Sequence, residues 1–212
     1  MTASRQEPRR LRTRSALLEA GAELLARKPI DAIAVNEIVE AAGVAKGSFF
    51  NHFEDKDGFA AAIAREIRQD VETRVSAVNA AITDPAERVA RAICVFVQFA
   101  LAEPKRARIM LRGQDWADGS GHPLNDGVRS DIARGVAEGR FADRAAASGV
   151  LYLIGVCQTL VMATASDPRG VQDARKLTRE MLGLTFAGLG AVDAGGIVDQ
   201  AVTDIVTGPA AA

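Results

Sequence analysis

Apolar residues recur at helical spacing along the chain, and no alternating run long enough for a β-strand interrupts them. The first stretch places five residues on one helical face and stops before Pro29: Leu17, Leu18, Gly21, Leu24 and Leu25. Proline ends such a helix because it lacks an amide hydrogen and clashes with the preceding turn. The spacing therefore predicts an all-α protein.

Two short helices follow the first one. Apolar spacing predicts the first from Val35 to Ala42, and Gly43 then offers a residue that tolerates a left-handed turn. The second is AKGSFFNHF, residues 45–53, in which Phe49 and Phe53 lie one turn apart on the inner side. A long helix from Lys56 to about Ala81 comes next, with acidic residues near its N-terminus.

The rest of the chain is predicted to be helical as well. Asp84 and Pro85 form an N-cap followed by proline at the first helical position, and Pro104 opens a short helix to about Leu111. A loop rich in Gly and Asp is expected over 113–127, and helices over 124–138, 143–166, 171–189 and 193–207. We predict an N-terminal domain over 9–70, with its two short helices at about 33–52, a second helical domain over 71–207, and flexible tails at 1–8 and 208–212.

Charge is unevenly distributed. The formal net charge is -1, so no global field attracts the chain to nucleic acid or an anionic membrane. The first fourteen residues are an exception, because they hold one acidic residue, Glu7, against five arginines: Arg5, Arg9, Arg10, Arg12 and Arg14. This composition predicts a basic arm before the first helix that binds a polyanion locally.

The two cysteines, Cys94 and Cys157, form no CxxC pattern, and we expect neither a metal site, a cofactor nor a disulfide. No apolar segment of a signal peptide follows the basic start, which favours a cytoplasmic location. Residues 145–166 carry no charge and are long enough to span a bilayer. Their polar residues and two glycines favour a buried helix instead, so no membrane partner is expected.

A helix, a short helix, a glycine turn and a second short helix form the layout in which the last helix enters the major groove of DNA. The run AVNEIVEAAGVAKGSFFNHFEDKDGF, residues 34–59, closely resembles the DNA-binding signature of the tetracycline-repressor (TetR) family of bacterial regulators. GVAEGRF, residues 135–141, is similar to a segment often seen late in that family's regulatory domain. The resemblance implies a helix-turn-helix domain joined by a long helix to an α-helical domain for ligand binding and dimerisation.

The resemblance also implies roles for individual residues. Lys46 and Gly47 would lie near base edges, and Asn51 would read bases, since its amide both donates to and accepts from adenine. Four further positions match those the family uses mainly against phosphate and sugar: Ser48, Phe50, His52 and Lys56. The arm would add salt-sensitive contacts through Arg9, Arg10, Arg12 and Arg14.

Three positions depart from the family pattern. Phe50 replaces the usual tyrosine, whose hydroxyl commonly reaches a phosphate, and Ala34 and Ala45 stand where Ser or Thr often caps the short helices. Losing such a cap typically costs about 0.5 to 2 kcal/mol. We therefore predict that backbone affinity depends on the arginine arm more than is usual in the family.

By the same resemblance, two copies would pair through the helices at 143–166 and 171–189 and bind a palindromic, double-stranded operator. A small-molecule effector would bind in the second domain and change the spacing of the two recognition helices. Few charged residues lie on the apolar helices of the second domain, which favours a mostly apolar ligand. The candidate pocket residues, each of which could equally be plain core, are Phe96, Phe99, Met110, Trp116, Leu153, Cys157 and Met162.

Two other functions compete with a repressor released by a small molecule. The first is a regulator without a ligand, controlled by a protein partner or acting as an activator. The second is an enzyme that uses His52, His122 or a cysteine, but the chain has no metal-ligand cluster, nucleotide loop or nucleophile motif. A redox role for the cysteines is disfavoured because no basic residue next to either in the sequence would lower its pKa.

Overall fold

The computed structural model of the chain describes residues 6–112, 125–166 and 170–205. All regular structure in these ranges is helical, so the expected all-α class is confirmed. A 3-10 turn, Ile30–Ala32, precedes the second of ten α-helices. The helices are α1 Gln6–Leu25, α2 Val35–Ala41, α3 Gly47–Phe50, α4 Lys56–Val78, α5 Pro85–Ala102, α6 Pro104–Arg112, α7 Asp126–Ala137, α8 Ala145–Ser166, α9 Val171–Leu189 and α10 Ala194–Thr203.

The chain divides into two compact units, Met1–Ile67 and Arg68–Ala212. This division and the boundary expected near residue 70 both fall within α4.

Two expectations about the helices of the first unit need correction. Four of the arginines expected in an arm before the first helix, Arg9, Arg10, Arg12 and Arg14, lie within α1, because that helix begins at Gln6 and Pro8 is tolerated in a first helical turn; Arg5 lies outside the described residues. The recognition helix spans four residues instead of nine, with turns on both sides.

An aromatic core holds the first unit together. Phe49, Phe53 and Phe59 contact one another, with ring centroids 4.8 to 5.6 Å apart. Gly21 of α1 permits this packing, since a Cβ atom there would lie 2.3 Å from Cζ of Phe59 and 2.7 Å from Cδ1 of Ile63. The predicted inward orientation of Phe49 and Phe53 is confirmed, as both are buried.

The turn between α2 and α3 follows from Gly43. Its φ of 65° is left-handed, which suits a residue without a Cβ. The amide of Val44 donates to the carbonyl of Val39 at 3.0 Å, and the amide of Gly43 donates to the carbonyl of Glu40 at 3.1 Å. These two bonds form a Schellman motif, which ends α2 and redirects the chain toward α3.

In the second unit α5 occupies the centre and packs against α7, α8, α9 and α10. Its predicted start is confirmed: the Asp84 carboxylate accepts from the amides of Ala86 and Glu87 at 2.8 and 3.1 Å, with Pro85 at the first helical position. Ten residues of α5 are buried, among them Phe96 and Phe99. The helix therefore has no wide solvent-exposed face.

The GVAEGRF segment ends α7 by a second Schellman motif. Gly139 takes the left-handed conformation, and the amide of Arg140 donates to the carbonyl of Gly135 at 2.7 Å. Phe141 then folds back over Gly135, where a Cβ would lie 2.2 Å from the ring, and stacks on Phe186 of α9. The segment thus links α7 to α9.

Helix α8 is long and apolar enough to cross a membrane by length and composition, with half of that window buried inside the chain. Its buried side includes Leu153, Cys157 and Leu160. The opposite side exposes Leu151, Tyr152 and Met162, and Leu184 of the neighbouring α9 is also exposed. We call these four residues the exposed apolar face.

Candidate nucleic-acid interface and ligand cavity

The recognition surface consists of α3 and its two flanking turns. Lys46, Gly47, Phe50 and Asn51 are exposed, and Ser48 is half-buried. Phe50 is 58% exposed although its neighbour Phe49 is fully buried, and the two rings meet edge to face with their centroids 5.3 Å apart. The aromatic core below therefore supports a short segment whose outer side chains face solvent.

Neither short helix has a side-chain cap. Ala34 is the N-cap of α2 and makes no side-chain hydrogen bond, as predicted. The N-cap of α3 is Lys46, one residue later than the sequence suggested, and it too makes no side-chain cap bond. Tertiary packing of Ile38, Val39 and Phe49 accounts for these helices instead.

Two arginines of α1 lie near the recognition surface. The Arg14 guanidinium lies over the Phe53 ring, 5.6 Å from its centroid, a cation-π contact. His52 is half-buried, and burial together with the charges of Arg10 and Arg14 lowers its pKa. Arg9 and Arg12 are also exposed. Arg10 and Arg14 of α1 thus lie close to His52, at the end of the recognition segment.

Lys56 has a structural role that the sequence does not indicate. Its Nζ donates to the carbonyl oxygens of Ile30, Asp31 and Ile33 at 3.2, 3.3 and 3.1 Å. These bonds attach the start of α4 to the 3-10 turn before α2. A contact between Lys56 and phosphate remains a prediction.

The second unit contains a cavity of about 250 Å³. Its apolar wall comes from α5 and α8, and its polar wall comes mostly from α4, α7 and Asn125. The apolar residues include Val89, Ile93, Phe96, Leu153, Ile154 and Cys157, and the polar ones are Arg68, Glu72, Ser76, Asn79, Arg88, Asn125 and Asp131. The cavity therefore combines an apolar lining, which suits the mostly apolar ligand that the sequence favoured, with a polar wall that the sequence did not indicate.

Charges at the polar wall are largely matched. Arg88 Nε donates to Asp131 Oδ1 at 2.6 Å, and Arg68 donates to Oδ1 of Asn125. Burial raises the pKa of Glu72 to about 7, although Arg68, whose Nε lies 3.8 Å from its carboxylate, opposes this. Glu72 is therefore close to half-protonated at neutral pH.

The predicted pocket residues divide into three groups. Phe96, Leu153 and Cys157 line the cavity. Phe99 and Met110 are buried elsewhere in the core, and Met162 belongs to the exposed apolar face, 56% exposed. Trp116 and His122 lie outside the described residues.

The cysteines are poor nucleophiles. Burial raises the pKa of both Cys94 and Cys157 to about 12, so neither forms a thiolate at neutral pH. Within the described ranges no group of three or more His, Cys, Asp or Glu side chains could hold a metal ion.

Sequence reasoning missed the polar wall of the cavity. Arg68, Glu72 and Asn79 lie on one face of a single helical path because they are four and seven residues apart. The available signal was this polar stripe on an otherwise ordinary charged helix. A stripe of that kind usually faces solvent, so the sequence alone gave no reason to place it inside.

These features define an all-α fold with a helix-turn-helix motif in the first unit and a cavity in the second. Residues 17–63 match the model of the bacterial regulatory proteins, tetR family. A curated relative, the HTH-type transcriptional repressor DhaR of Mycobacterium sp. (strain GP1), is 29% identical over 126 residues. That alignment covers 57% of this chain and 58% of the relative.

Solved structures share the fold over most of the chain. RolR in complex with resorcinol has a TM-score of 0.65 at 23% identity, covering 92% of this chain and 95% of that one. The regulator FadR from Bacillus subtilis in complex with stearoyl-CoA has a TM-score of 0.65 at 16% identity, covering 82% and 98%. Residues 17–63 therefore resemble the bacterial regulatory proteins of the tetR family, and the chain as a whole shares the fold of these solved structures.

Proposed function

We propose that the protein is a cytoplasmic, homodimeric repressor that binds a palindromic operator and is released by a small molecule bound in the second unit. The observation that carries this proposal is the solvent-facing recognition surface on a TetR-type helix-turn-helix domain. DhaR, which aligns with about half of the chain, is named a transcriptional repressor.

Each part of the recognition surface has a chemical task. Lys46, Gly47 and Asn51 are available to base edges in the major groove, where Asn pairs with adenine through two hydrogen bonds. Ser48 and His52 would donate to phosphates. His52 would do so as a neutral imidazole, because its lowered pKa leaves it uncharged at neutral pH.

Phe50 lacks the hydroxyl that would reach a phosphate and exposes its ring instead. Arg9, Arg10, Arg12 and Arg14 would compensate by binding the DNA backbone from the first turns of α1, a salt-sensitive contribution.

The exposed apolar face supports pairing of two copies. Leu151 and Leu184 are 60% and 69% exposed, more than a folded chain usually leaves uncovered at large apolar residues on adjacent helices. Covering this face with a second copy brings α8 and α9 of both chains together. It also explains why half of the apolar α8 window is not buried within one chain.

The cavity supports control by a small molecule. RolR and FadR, which share the fold, were solved with resorcinol and with stearoyl-CoA. In this chain Arg68, Glu72 and Ser76 of α4 line the cavity, and α4 begins in the helix-turn-helix unit. A ligand that contacts α4 would therefore favour one of two dimer geometries over the other.

Selection of binding sites from a randomised double-stranded DNA library, followed by footprinting with the full chain, tests the proposal. We expect a two-fold symmetric site whose affinity decreases with salt. A matched variant, Asn51→Ala, should keep non-specific binding and lose preference for the selected site. Failure to enrich any sequence at low salt would contradict the proposal.

A further inference from the structure

The cavity of the second unit contains hydrogen-bond acceptors that the protein leaves available. Glu72 lines the cavity with 27% of its side chain exposed, and its charged contact is the Arg68 Nε at 3.8 Å, which is beyond hydrogen-bond distance. A carboxylate has about four lone-pair sites, so this contact leaves acceptor capacity unused.

Asn79 is a second acceptor, seven residues after Glu72 and one residue beyond the end of α4. It is 2% exposed, and its Oδ1 has no hydrogen-bond partner among the described residues. The orientation of the amide is set by the structure, because Nδ2 donates to the carbonyl of Arg88 at 3.1 Å and a flipped amide would place two oxygens together.

The neighbouring arginines already donate hydrogen bonds within the chain. Arg88 donates to Asp131 at 2.6 Å and to the carbonyl of Asn79 at 2.7 Å, and Arg68 donates to Asn125. Among the described lining residues, these two arginines are opposed by Asp131 and by the partly protonated Glu72. An anionic ligand would therefore meet Asp131 and the ionised fraction of Glu72 beside arginines that the chain already uses.

We propose that the cavity takes a compact, neutral molecule with an apolar body and a hydroxyl or N–H donor that binds the acceptors Glu72 on α4 and Asn79 at its C-terminal end. The apolar body would lie against Phe96, Leu153 and Cys157. Phenols, alcohols and secondary amides fit this description, whereas fatty acids and other carboxylates do not. This inference rests on the ligand-controlled function proposed above and specifies the chemistry of its ligand.

The volume is consistent with this class. About 250 Å³ holds a molecule of one or two rings, whereas drug-sized ligands occupy pockets of about 300 to 1,000 Å³. Placing the donor at α4 also puts the polar contact on the helix shared with the first unit. The ligand would thereby report its presence to the helix-turn-helix unit.

Three probes built on one benzene ring test the proposal: phenol carries a donor, anisole an acceptor only, and benzoate a negative charge. Calorimetric titration of the full chain without DNA, at a pH where phenol is neutral, measures each affinity. We expect phenol to bind about tenfold more tightly than anisole, because anisole leaves the buried acceptors unpaired. Benzoate should bind no better than anisole.

Two variants assign the preference to residues. Glu72→Met removes the carboxyl acceptor and Asn79→Leu removes the orphan acceptor; each should lower the phenol preference while leaving anisole affinity unchanged. Anisole binding also checks that each variant is folded. Ser76→Ala, on the same face of α4, is the matched control and should retain the phenol preference.

Equal or tighter binding of anisole or benzoate overturns the inference, as does a phenol preference that survives both variants or an absence of phenol binding. Operator binding is measured separately. Loss of the ligand preference with intact operator binding refutes only the ligand class, and the opposite result refutes only the proposed regulator.

Discussion

The two units of the chain differ in what fills their interiors. In the first, phenylalanine rings pack closely around Gly21, and the polar groups assigned to function lie outside. In the second, large helices enclose a cavity whose wall includes four charged side chains. A partner as large as DNA is recognised from an outer surface, and a small molecule must be surrounded, so the two kinds of partner require these two interiors.

The largest expected effect tests the filled interior of the first unit. Phe49→Ala should lower the free energy of unfolding by about 3 to 5 kcal/mol, because a fully buried ring leaves a cavity. The adjacent Phe50→Ala is the matched control and should lower it by about 1 kcal/mol or less, because it removes a mostly exposed ring and one edge-to-face contact. Chemical denaturation of both variants measures this, and equal losses would contradict the difference in burial between the two rings.

The second prediction concerns the charged interior of the second unit. The pKa of Glu72 is raised from 4.5 to about 7, so between these values the folded chain holds a proton that the unfolded chain has lost. The free energy of unfolding that Glu72 contributes therefore falls by up to about 3 kcal/mol as the pH rises through this window. It stays low above pH 7.

Glu72→Gln should remove this dependence and be more stable than the wild type at pH 8, with no difference near pH 4. Denaturant unfolding across that range measures it. A variant less stable than the wild type at pH 8 would show that the carboxylate stabilises the cavity wall.

A third prediction addresses the outer surface of the first unit. Changing Arg10 and Arg14 to Ala should weaken operator binding and reduce the slope of log affinity against log salt by up to about two, one per lost phosphate contact. Arg27→Ala, at an exposed position beyond the end of α1, is the control. An unchanged slope in the double variant would exclude the basic residues of α1 from the DNA interface.

The smallest expected effect concerns the turn. Gly43→Ala places a Cβ in a left-handed conformation and should cost about 1 kcal/mol, although no neighbour lies within 4 Å of that Cβ. Gly155→Ala on α8, also without neighbours, should not destabilise the chain. Thermal unfolding compares them, and equal stability of both variants would exclude strain at Gly43 as the reason for glycine.

Much of the first unit was predictable because its signals are local. Helical spacing located α1, α2 and α4, and Gly43 indicated the left-handed turn. The arginines of α1 were misassigned to an arm because periodic apolar residues begin only at Leu17, although the backbone is helical from Gln6. The bonds from Lys56 to the 3-10 turn link residues far apart in the sequence, so no local pattern indicated them.

The cavity could not be predicted in the same way. Helix α8 is apolar around most of its circumference, so its sequence does not determine which side faces inward, and Met162 was assigned to the wrong side for this reason. Glu72 and Asn79 stand in a charged stretch of the sequence without an apolar signal of their own. Both line a cavity that α5 and α8 also line, and the order of residues along α4 does not specify this.

The operator affinities of two variants test most directly whether the recognition surface binds DNA and the cavity of the second unit serves only the small molecule. On a selected operator, Asn51→Ala should lose about tenfold or more in affinity, because a paired base edge is worth about 1 to 3 kcal/mol. Asn79→Leu should bind the same operator as the wild type does when no ligand is present. The account is contradicted if Asn51→Ala binds normally, or if Asn79→Leu loses operator binding while remaining folded.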